Sequence, residues 1–298
     1  MANLKEVRNR IGSVKTTQQI TKAMKLVAAS KLKRAQDRIT QMRPYSQKLN
    51  SILSNLMESL EGKDVALALN KVREPKNVLV VLVTSDKGLC GGFNSNLIKT
   101  TRNLLATTYA TQVEAGNVTL LPIGKKGYDY FKRYDKLKFN TNHISLFSGL
   151  NFSASQEVSA GLTKAFLNEE YDVIELVYAQ FVNAATQKFE VERFLPVATL
   201  KAENVKGSSK KNDYIFEPDQ QQLLEELAPK ILNTQFFKAL LDTNASENGS
   251  RMVAMDSATN NAQEMIRNLS ILYNRERQAA ITKEILEIVG GAAALEAK

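Results

Sequence analysis

Two short glycine-containing segments have the residue types that bind phosphate groups in other folds. The first reads TSDKGLCGGFN at 84–94 and follows an apolar run, the position at which doubly wound folds bind phosphate. Its glycines match neither GxGxxG nor GxxxxGK[ST]. The second, GKKG at 124–127, is a pair of lysines between two glycines. We interpret both as turns, with a nucleotide site as the alternative, and we predict no cofactor.

Nucleophilic and metal chemistry have few candidate residues in this chain. His143 is the only histidine and Cys90 the only cysteine, so a histidine-based metal cluster and an intramolecular disulfide are both excluded. Nothing in the sequence indicates a base or cation that would activate Cys90. We therefore predict no metal site and no catalysis by the chain itself.

The middle of the chain has the pattern of a parallel α/β domain, predicted to span residues 75–205. The predicted strands are the apolar, β-branched runs at 77–84, 118–124 and 172–181, with possible edge strands at 138–146 and 187–200. The predicted helices lie at 94–114, 125–135 and 153–169, the last opened by Ser153 and Gln156 as a capping box. Strands that alternate with helices favour a parallel sheet.

Both ends of the chain are predicted to be long helices, at 1–60 and 218–296, and Pro218 stands near the start of the second. A helix of 60 residues is about 90 Å long. Apolar residues recur at steps of three and four in both. They are Ala28, Leu32, Ala35, Ile39, Met42, Leu49, Leu53, Leu56 and Leu60, then Ala258, Ala262, Met265, Leu269 and Leu272, then Ile281, Ile285, Ile288, Ala292 and Leu295. Ser46 fills the one gap in the first series, between Met42 and Leu49. We predict that the two ends pair antiparallel within one chain, with an intermolecular coiled-coil dimer as the alternative.

Each terminal helix also has a polar belt at which the apolar pattern changes phase. The belts are residues 15–19, before an Ile20, Met24 and Val27 set, and residues 274–278. The sequence thus predicts that both buried seams change face. We further hypothesise that the belts around Gln18 and Gln278 lie at the same height and form a collar.

Positive charge is concentrated at the N-terminus. The net charge is +9, and residues 1–50 have twelve Lys or Arg against Glu6 and Asp37. Such an arm favours an anionic partner. No aromatic residue precedes Tyr45, so an acidic protein surface fits better than nucleic acid, which is the open alternative. Without a signal peptide or a run of 18 apolar residues, we expect a cytoplasmic protein.

Three segments resemble the γ subunit of the F-type ATP synthase, of a bacterial type. They are VRNRIGSVKTTQQITKAMKLVAASKLKRAQ at 7–36, TSDKGLCGGFN at 84–94, and RMVAMDSATNNAQEMIRNLSILYNRERQAAITKEILEIVGGAAAL at 251–295. The resemblance implies a mixed α/β fold. In that fold a long antiparallel coiled coil of the N- and C-terminal helices has a Rossmann-like α/β domain inserted that holds no nucleotide.

The resemblance also implies a function. In the family this subunit is the central rotor shaft, which couples ion-driven rotation of the membrane c-ring to ATP synthesis or hydrolysis at the catalytic β subunits. It is not catalytic itself. The implied partners are the α and β subunits of the α3β3 ring, the ε subunit, the c-ring and possibly δ, with no nucleic acid. The implied location is peripheral, at the cytoplasmic face of the bacterial plasma membrane.

The family's partner contacts carry over to matching positions of this sequence. On the helices they correspond to Met24, Arg251, Arg277, Gln278, Thr282 and Glu284. The SDRGLCGG loop of the family corresponds to residues 85–92, which include Lys87 and Cys90. Lys87 replaces the usual arginine and lacks its bidentate fork. Gly249 stands where the family commonly has a helix former.

Overall fold

The computed structural model describes residues 4–59, 68–197 and 220–296, and it has two compact units, Met1–Ala28 with Arg251–Lys298, and Ala29–Ser250. The helices are α1 (Leu4–Ser59), α2 (Phe93–Thr107), α3 (Ala110–Glu114), α4 (Lys125–Phe131), α5 (Phe152–Leu167) and α6 (Gln220–Glu296). The strands are β1 (Val78–Val83), β2 (Val118–Ile123), β3 (Lys138–Phe139), β4 (Val173–Phe181) and β5 (Gln187–Leu195). Single 3-10 turns lie at Ala68–Asn70 and Leu146–Gly149. Pro218 lies outside the described residues.

The second unit is built on a five-stranded sheet of order β3-β2-β1-β4-β5, in which only β5 runs antiparallel to its neighbour. Every residue of β1 and β2 is buried, because helices cover both faces. Val81 faces a core that contains Leu162 of α5 and Leu240 of α6. Val80 faces a second core with Leu97 of α2. The predicted parallel α/β domain is thus confirmed.

Three local predictions in this unit need correction. The strand expected at 138–146 is only Lys138–Phe139, and the helix expected at 94–114 is interrupted between α2 and α3. Ser153 is not the cap of α5. Instead Asn151 is the N-cap, and its Oδ1 accepts a hydrogen bond from the Ala154 amide at 2.7 Å. An asparagine two residues earlier supplies the acceptor that the capping-box pattern assigned to serine.

The first part of α6 contacts the end of β4 through hydrogen bonds of hydroxyl-bearing residues and through a close approach at a glycine. Thr243 Oγ1 accepts a hydrogen bond from the Ala179 amide at 3.3 Å, and Ser246 Oγ donates to the Ala179 carbonyl at 3.2 Å. One turn further, a Cβ atom on Gly249 would meet the Ala184 backbone at 3.1 Å. Glycine therefore suits a close approach of two backbones here, since a Cβ atom would be tightly packed against Ala184.

In the first unit the two ends of the chain pair antiparallel, as predicted. Three side-chain hydrogen bonds join them: Gln18 Nε2 donates to Gln263 Oε1, Thr259 Oγ1 donates to Thr21 Oγ1 at 2.8 Å, and Lys25 Nζ donates to Asp256 Oδ1 at 2.6 Å. In each pair the residue numbers add to 280 or 281. This register places Leu4, the first described residue of α1, level with about residue 277.

The predicted change of face in the α1 seam is wrong. The residues of α1 that are buried or half-buried in the first unit form one stripe that recurs every three or four residues, with Met24 of the predicted shifted set beside Lys25: Leu4, Val7, Ile11, Val14, Gln18, Thr21, Met24, Lys25 and Ala28. Ile20 and Val27, assigned to the shifted seam, are more than half exposed. The helical repeat continues unchanged, and polar residues occupy the seam positions because each finds a polar partner across it.

The C-terminal seam departs from its prediction in the same way. Ala262 is buried, and Ala258 and Leu269 are half-buried, as predicted. Met265 is 46% and Leu272 37% exposed, while Ile266 and Tyr273 are half-buried instead. The buried face of α6 was misassigned because apolar residues lie on both its paired and its outer face. Their spacing alone therefore fits either of two apolar stripes along the helix.

The hypothesis of a collar is also wrong. Gln18 lies level with Gln263, which is fifteen residues before Gln278 on α6. At 1.5 Å per residue the two belts are about 22 Å apart, or four helical turns. The belts are at different heights because the second faces the start of α1 rather than its first belt.

Candidate functional site

The loop at 84–92 is held by hydrogen bonds to Asn94 and between its own residues. Asn94 at the start of α2 accepts a hydrogen bond from the Ser85 amide at 3.1 Å, and its Nδ2 donates to Ser85 Oγ at 2.7 Å and to Cys90 Sγ at 3.2 Å. Ser85 Oγ also donates a hydrogen bond to the Lys87 carbonyl at 2.7 Å. The loop is therefore a preformed surface.

The residues of this loop divide into buried and exposed sets. Cys90 is 1% exposed and belongs to the core on one face of the sheet, so its sulfur packs inside the chain. Lys87 is exposed, and Leu89 is 66% exposed. Leu89 has φ 63°, a left-handed conformation that is unusual for leucine. Contact of this loop with a partner stays a prediction, and Cys90 would take part through its backbone.

The GKKG segment packs directly against the first loop. Gly124 has φ 97°, and a Cβ atom there would overlap the Thr84 carbonyl oxygen. The amide of Gly127 donates to Thr84 Oγ1 at 2.9 Å, and that of Lys126 donates to the Ser85 carbonyl at 3.1 Å. The amides that a phosphate cradle would offer are thus used to join two turns.

In the first unit, Met24 lies beside the ion pair of Lys25 and Asp256, whose side chains are 38% and 47% exposed. Met24 is half-buried, as is Arg251 on α6. Next to them on α1, Leu26 is 65% and Val27 57% exposed. Near Met24, apolar side chains thus lie on the outer surface of the paired helices, while the polar side chains of Thr21 and Lys25 share the seam with apolar ones such as Ala28.

The predicted contact residues of the C-terminal block lie further along α6. Arg277, Gln278, Thr282 and Glu284 are all exposed. Arg277 and Glu284 share one helix face, because seven residues advance the helix by nearly two full turns. Met24 is level with about residue 256, so roughly 30 Å separates it from Arg277 along the helix. The structure therefore places the four C-terminal residues within two turns of one helix, with Gln278 and Thr282 on a different face from Arg277 and Glu284, and leaves Met24 apart.

Sequence reasoning missed that no described residue of the first unit covers the end of α6. Every residue from 281 to 292 is exposed, although the stretch is rich in aliphatic side chains. Their exposed fractions are Ile281 49%, Ile285 54%, Leu286 66%, Ile288 71% and Val289 58%. The seam predicted for Ile281, Ile285 and Ile288 is therefore not buried in this chain. The antiparallel register could have shown this, since the first described residue of α1, Leu4, lies opposite about residue 277.

Within residues 4–59, 68–197 and 220–296, no group of three His, Cys, Asp or Glu side chains is placed to hold a metal ion. In the same part of the chain, no helix is both long and apolar enough to span a membrane. The remaining candidates for a functional site are the exposed side chains of the terminal helices and the loop at 84–92.

One buried polar cluster lies at the sheet rather than at these surfaces. Tyr109 donates its hydroxyl to Glu175 Oε1 at 2.7 Å, and Arg193 Nη2 donates to the same oxygen at 3.1 Å. Burial, and then the hydrogen bond to Glu175, raise the pKa of the Tyr109 phenol well above its ordinary value. Because the cluster satisfies the buried Glu175 internally, we assign it to the stability of the fold.

The chain is similar to known proteins along nearly its whole length. A family model described as ATP synthase matches residues 3–295. The chain is 50% identical to the ATP synthase gamma chain of Cytophaga hutchinsonii over 296 residues, and the match covers 99% of each chain. It is 51% identical to that of Flavobacterium johnsoniae over 296 residues, again covering 99% of each.

Solved structures are similar along most of the chain. One is the central stalk and c-ring structure of the Tetrahymena thermophila mitochondrial ATP synthase. Its similar chain is 27% identical, with a TM-score of 0.58, and the match covers 80% of this chain and 99% of that one. A chain of the Euglena gracilis mitochondrial ATP synthase has a TM-score of 0.65 at 20% identity, covering 99% of this chain and 95% of that one. At that identity the second likeness concerns the fold alone.

Proposed function

This chain belongs to the ATP synthase gamma chain family, and we propose that it is the central rotor shaft of such a synthase. In this role it couples ion-driven rotation of a membrane ring to ATP synthesis or hydrolysis at catalytic sites on other subunits. The chain is not itself catalytic. Its partners are the α3β3 ring, the ε subunit and the c-ring, with δ in the same complex, at the cytoplasmic face of a bacterial plasma membrane.

The observation that carries this proposal is the exposed apolar end of α6. Soluble monomers rarely expose large contiguous apolar surfaces, and those that do commonly use them to bind partners. Burying one such side chain stabilises a structure by roughly 1.5 to 3 kcal/mol, so the aliphatic residues between 281 and 289 favour a surrounding protein. A stator that encloses the tip of a shaft fits this surface.

The paired helices of the first unit suggest how the shaft acts. The hydrogen bonds at Gln18, Thr21 and Lys25 fix the axial register of the two helices, so we expect them to turn as one body. Their outer surface is uneven, with Val27 exposed on one side and the Lys25–Asp256 ion pair partly exposed. As the shaft turns, each catalytic subunit meets a different face, and the difference in contacts biases its conformation.

The proposed contacts lie in three places along the chain. They are Met24 and Arg251, the loop with Lys87 and Cys90, and the four residues Arg277, Gln278, Thr282 and Glu284. Lys87 and Arg277 are exposed cations at positions that match contact residues of the family, and complementary charge on a partner would contribute to the orientation of the two surfaces.

Charge reversal at Arg277 tests the proposal. The variant Arg277→Glu, reconstituted with the other synthase subunits, should uncouple or slow ATP turnover, because the exposed cation is lost from the contact face. The control is Lys230→Glu, an exposed lysine in another part of the same helix. Circular dichroism of both isolated variants should match the parent chain. Unchanged coupled turnover in Arg277→Glu would count against the proposed contact.

A further inference from the structure

A second surface of unusual chemistry lies on the α/β domain. The segment 125–138, which contains α4, has six Lys or Arg residues and only two Asp. Two tyrosines stand at its centre, Tyr130 at 36% and Tyr134 at 39% exposure. Tyrosine and arginine are the residue types most enriched at the energetic centres of protein interfaces. This composition therefore differs from that of an ordinary solvated charge run.

The two tyrosines form a fixed pair. Their hydroxyl oxygens are 3.3 Å apart and their ring centroids 5.9 Å apart. Both rings pack on Phe131, which is completely buried, at centroid distances of 5.1 Å for Tyr130 and 5.4 Å for Tyr134. Because Phe131 anchors them in the core, the pair keeps one geometry, and little side-chain entropy remains to be lost on binding.

Arg102 of α2 completes the centre of this surface. The hydrogen bond that Tyr134 donates, and then the nearby positive charge of Arg102, lower the pKa of Tyr130. Lys99 lies one turn before Arg102 on the same face of α2, and Arg133 lies between the two tyrosines in sequence; all three cations are exposed. By contrast, Lys132 is engaged by Asp129 at 3.0 Å.

We propose that Lys99, Arg102, Tyr130, Arg133 and Tyr134, the basic–tyrosine surface, bind an acidic segment of a partner protein. A carboxylate of that segment accepts hydrogen bonds from the Arg102 guanidinium and from a tyrosine hydroxyl. Charge-assisted hydrogen bonds of this kind are stronger than neutral ones. Lys99 and Arg133 attract neighbouring carboxylates. The surface is distinct from Met24, Lys87 and the α6 contacts, and the inference does not rest on the rotor function.

Two observations favour an acidic protein over a membrane or a nucleic acid. Neither α2 nor α4 exposes a large aliphatic side chain, since Leu97 and Leu105 are buried and Ile98 and Leu104 half-buried. Peripheral membrane binding needs apolar residues that enter the acyl boundary. Stacking of bases needs free aromatic faces, whereas the two tyrosine rings pack on each other and on Phe131.

Binding of a labelled acidic peptide to the full-length chain tests the inference. The probe is a twelve-residue peptide of alternating Glu and Ala, measured by fluorescence anisotropy, with a Gln and Ala peptide as the neutral control. We expect the acidic peptide to bind, and its affinity to fall about tenfold in each of two variants. These are Arg102→Gln and the double variant Tyr130→Phe with Tyr134→Phe, which keeps every charge. Lys48→Gln, which removes an exposed cation from α1, should leave binding unchanged.

Several outcomes would overturn the inference. Equal binding of the Gln peptide would exclude carboxylate recognition. Full affinity in the double tyrosine variant would show that only diffuse charge attracts the peptide. In another outcome, the chain binds anionic phospholipid vesicles or a single-stranded oligonucleotide more tightly than the acidic peptide. If the Arg102 and tyrosine variants weaken that binding, the surface belongs to another class of partner. All substituted side chains are exposed, and thermal unfolding of each variant checks that it is folded.

Discussion

Two stretches of helix α6 have similar aliphatic content and opposite environments. Between residues 228 and 245, in the second unit, Leu232 is 2% exposed, and Phe236 and Leu240 are completely buried against the sheet. Between residues 281 and 292, in the first unit, the exposed fraction of Ile285 is 54% and that of Ile288 is 71%. An apolar helix face therefore shows that a partner exists without showing whether that partner is in the same chain.

The difference separates stability from assembly. Apolar residues of the first stretch contribute to the free energy of unfolding of the isolated chain, because folding removes them from water. Those of the second stretch contribute only when another protein covers them. Substitutions of matched chemistry in the two stretches should therefore give unequal effects, and the following experiments range from the largest expected effect to the smallest.

Removal of one buried leucine should have the largest effect. Leu240→Ala leaves a cavity in the core and should lower the free energy of unfolding by about 2 to 5 kcal/mol. Ile285→Ala, the matched change in the exposed stretch, should alter it by less than about 0.5 kcal/mol. Urea unfolding of the two isolated variants measures both values. Similar losses in the two variants would contradict the comparison.

Polar contacts in the second unit extend the same contrast. Tyr109→Phe should lower the free energy of unfolding by about 1.5 to 3 kcal/mol, since the lost hydrogen bond joins a charged carboxylate. The folded-state pKa of Tyr109 is raised, so its contribution is complete below the unfolded pKa near 10 and declines as pH rises through the folded value. Unfolding at pH 7 and pH 10.5 should show a steeper decline in the parent chain than in the variant. Parallel pH profiles would be inconsistent with this burial.

Crowding at Gly249 should have a somewhat smaller effect. Gly249→Val places carbon atoms against the Ala184 backbone and should cost about 1 to 3 kcal/mol by overpacking. Gly290 is the control, because a Cβ atom there meets nothing within 4 Å. Gly290→Val should leave the thermal unfolding temperature nearly unchanged. Equal shifts in the two valine variants would refute the close approach at Ala184.

The smallest effect is expected in the polar seam. Asp256→Asn removes the charge from the pair with Lys25, and a partly exposed ion pair contributes only about 0 to 1 kcal/mol. Chemical denaturation of the isolated chain should detect little change. A loss above about 2 kcal/mol would show that the pair is energetically buried, contrary to its exposure.

Sequence patterns predicted the architecture well, because its signals are strong and local. The run at 77–84 became β1, and glycine spacing at 84–94 indicated a turn rather than a nucleotide loop. The seam was misassigned at Gln18, Thr21 and Lys25 because an apolar-spacing rule expects hydrocarbon there. Only the cross-helix partners Gln263, Thr259 and Asp256 make polar residues stable in that position.

The extent of helix pairing was equally hidden from local patterns. Heptads continue through Ile281, Ile285 and Ile288, but pairing ends where α1 begins, which is a matter of register between segments far apart in sequence. The same holds for the basic–tyrosine surface, since Arg102 and Tyr130 belong to different helices. Spacing predicts which face of a helix is apolar, whereas the register decides what covers it.

Hydrogen–deuterium exchange of residues 281–292 tests the central claim most directly. In the isolated full-length chain, these amides should exchange within seconds, because no tertiary contact stabilises this part of the helix. In the complex reconstituted with the other synthase subunits, their exchange should slow at least a hundredfold, while the amides of β1 stay protected in both states. Equal exchange of 281–292 in the free and assembled protein would contradict the account.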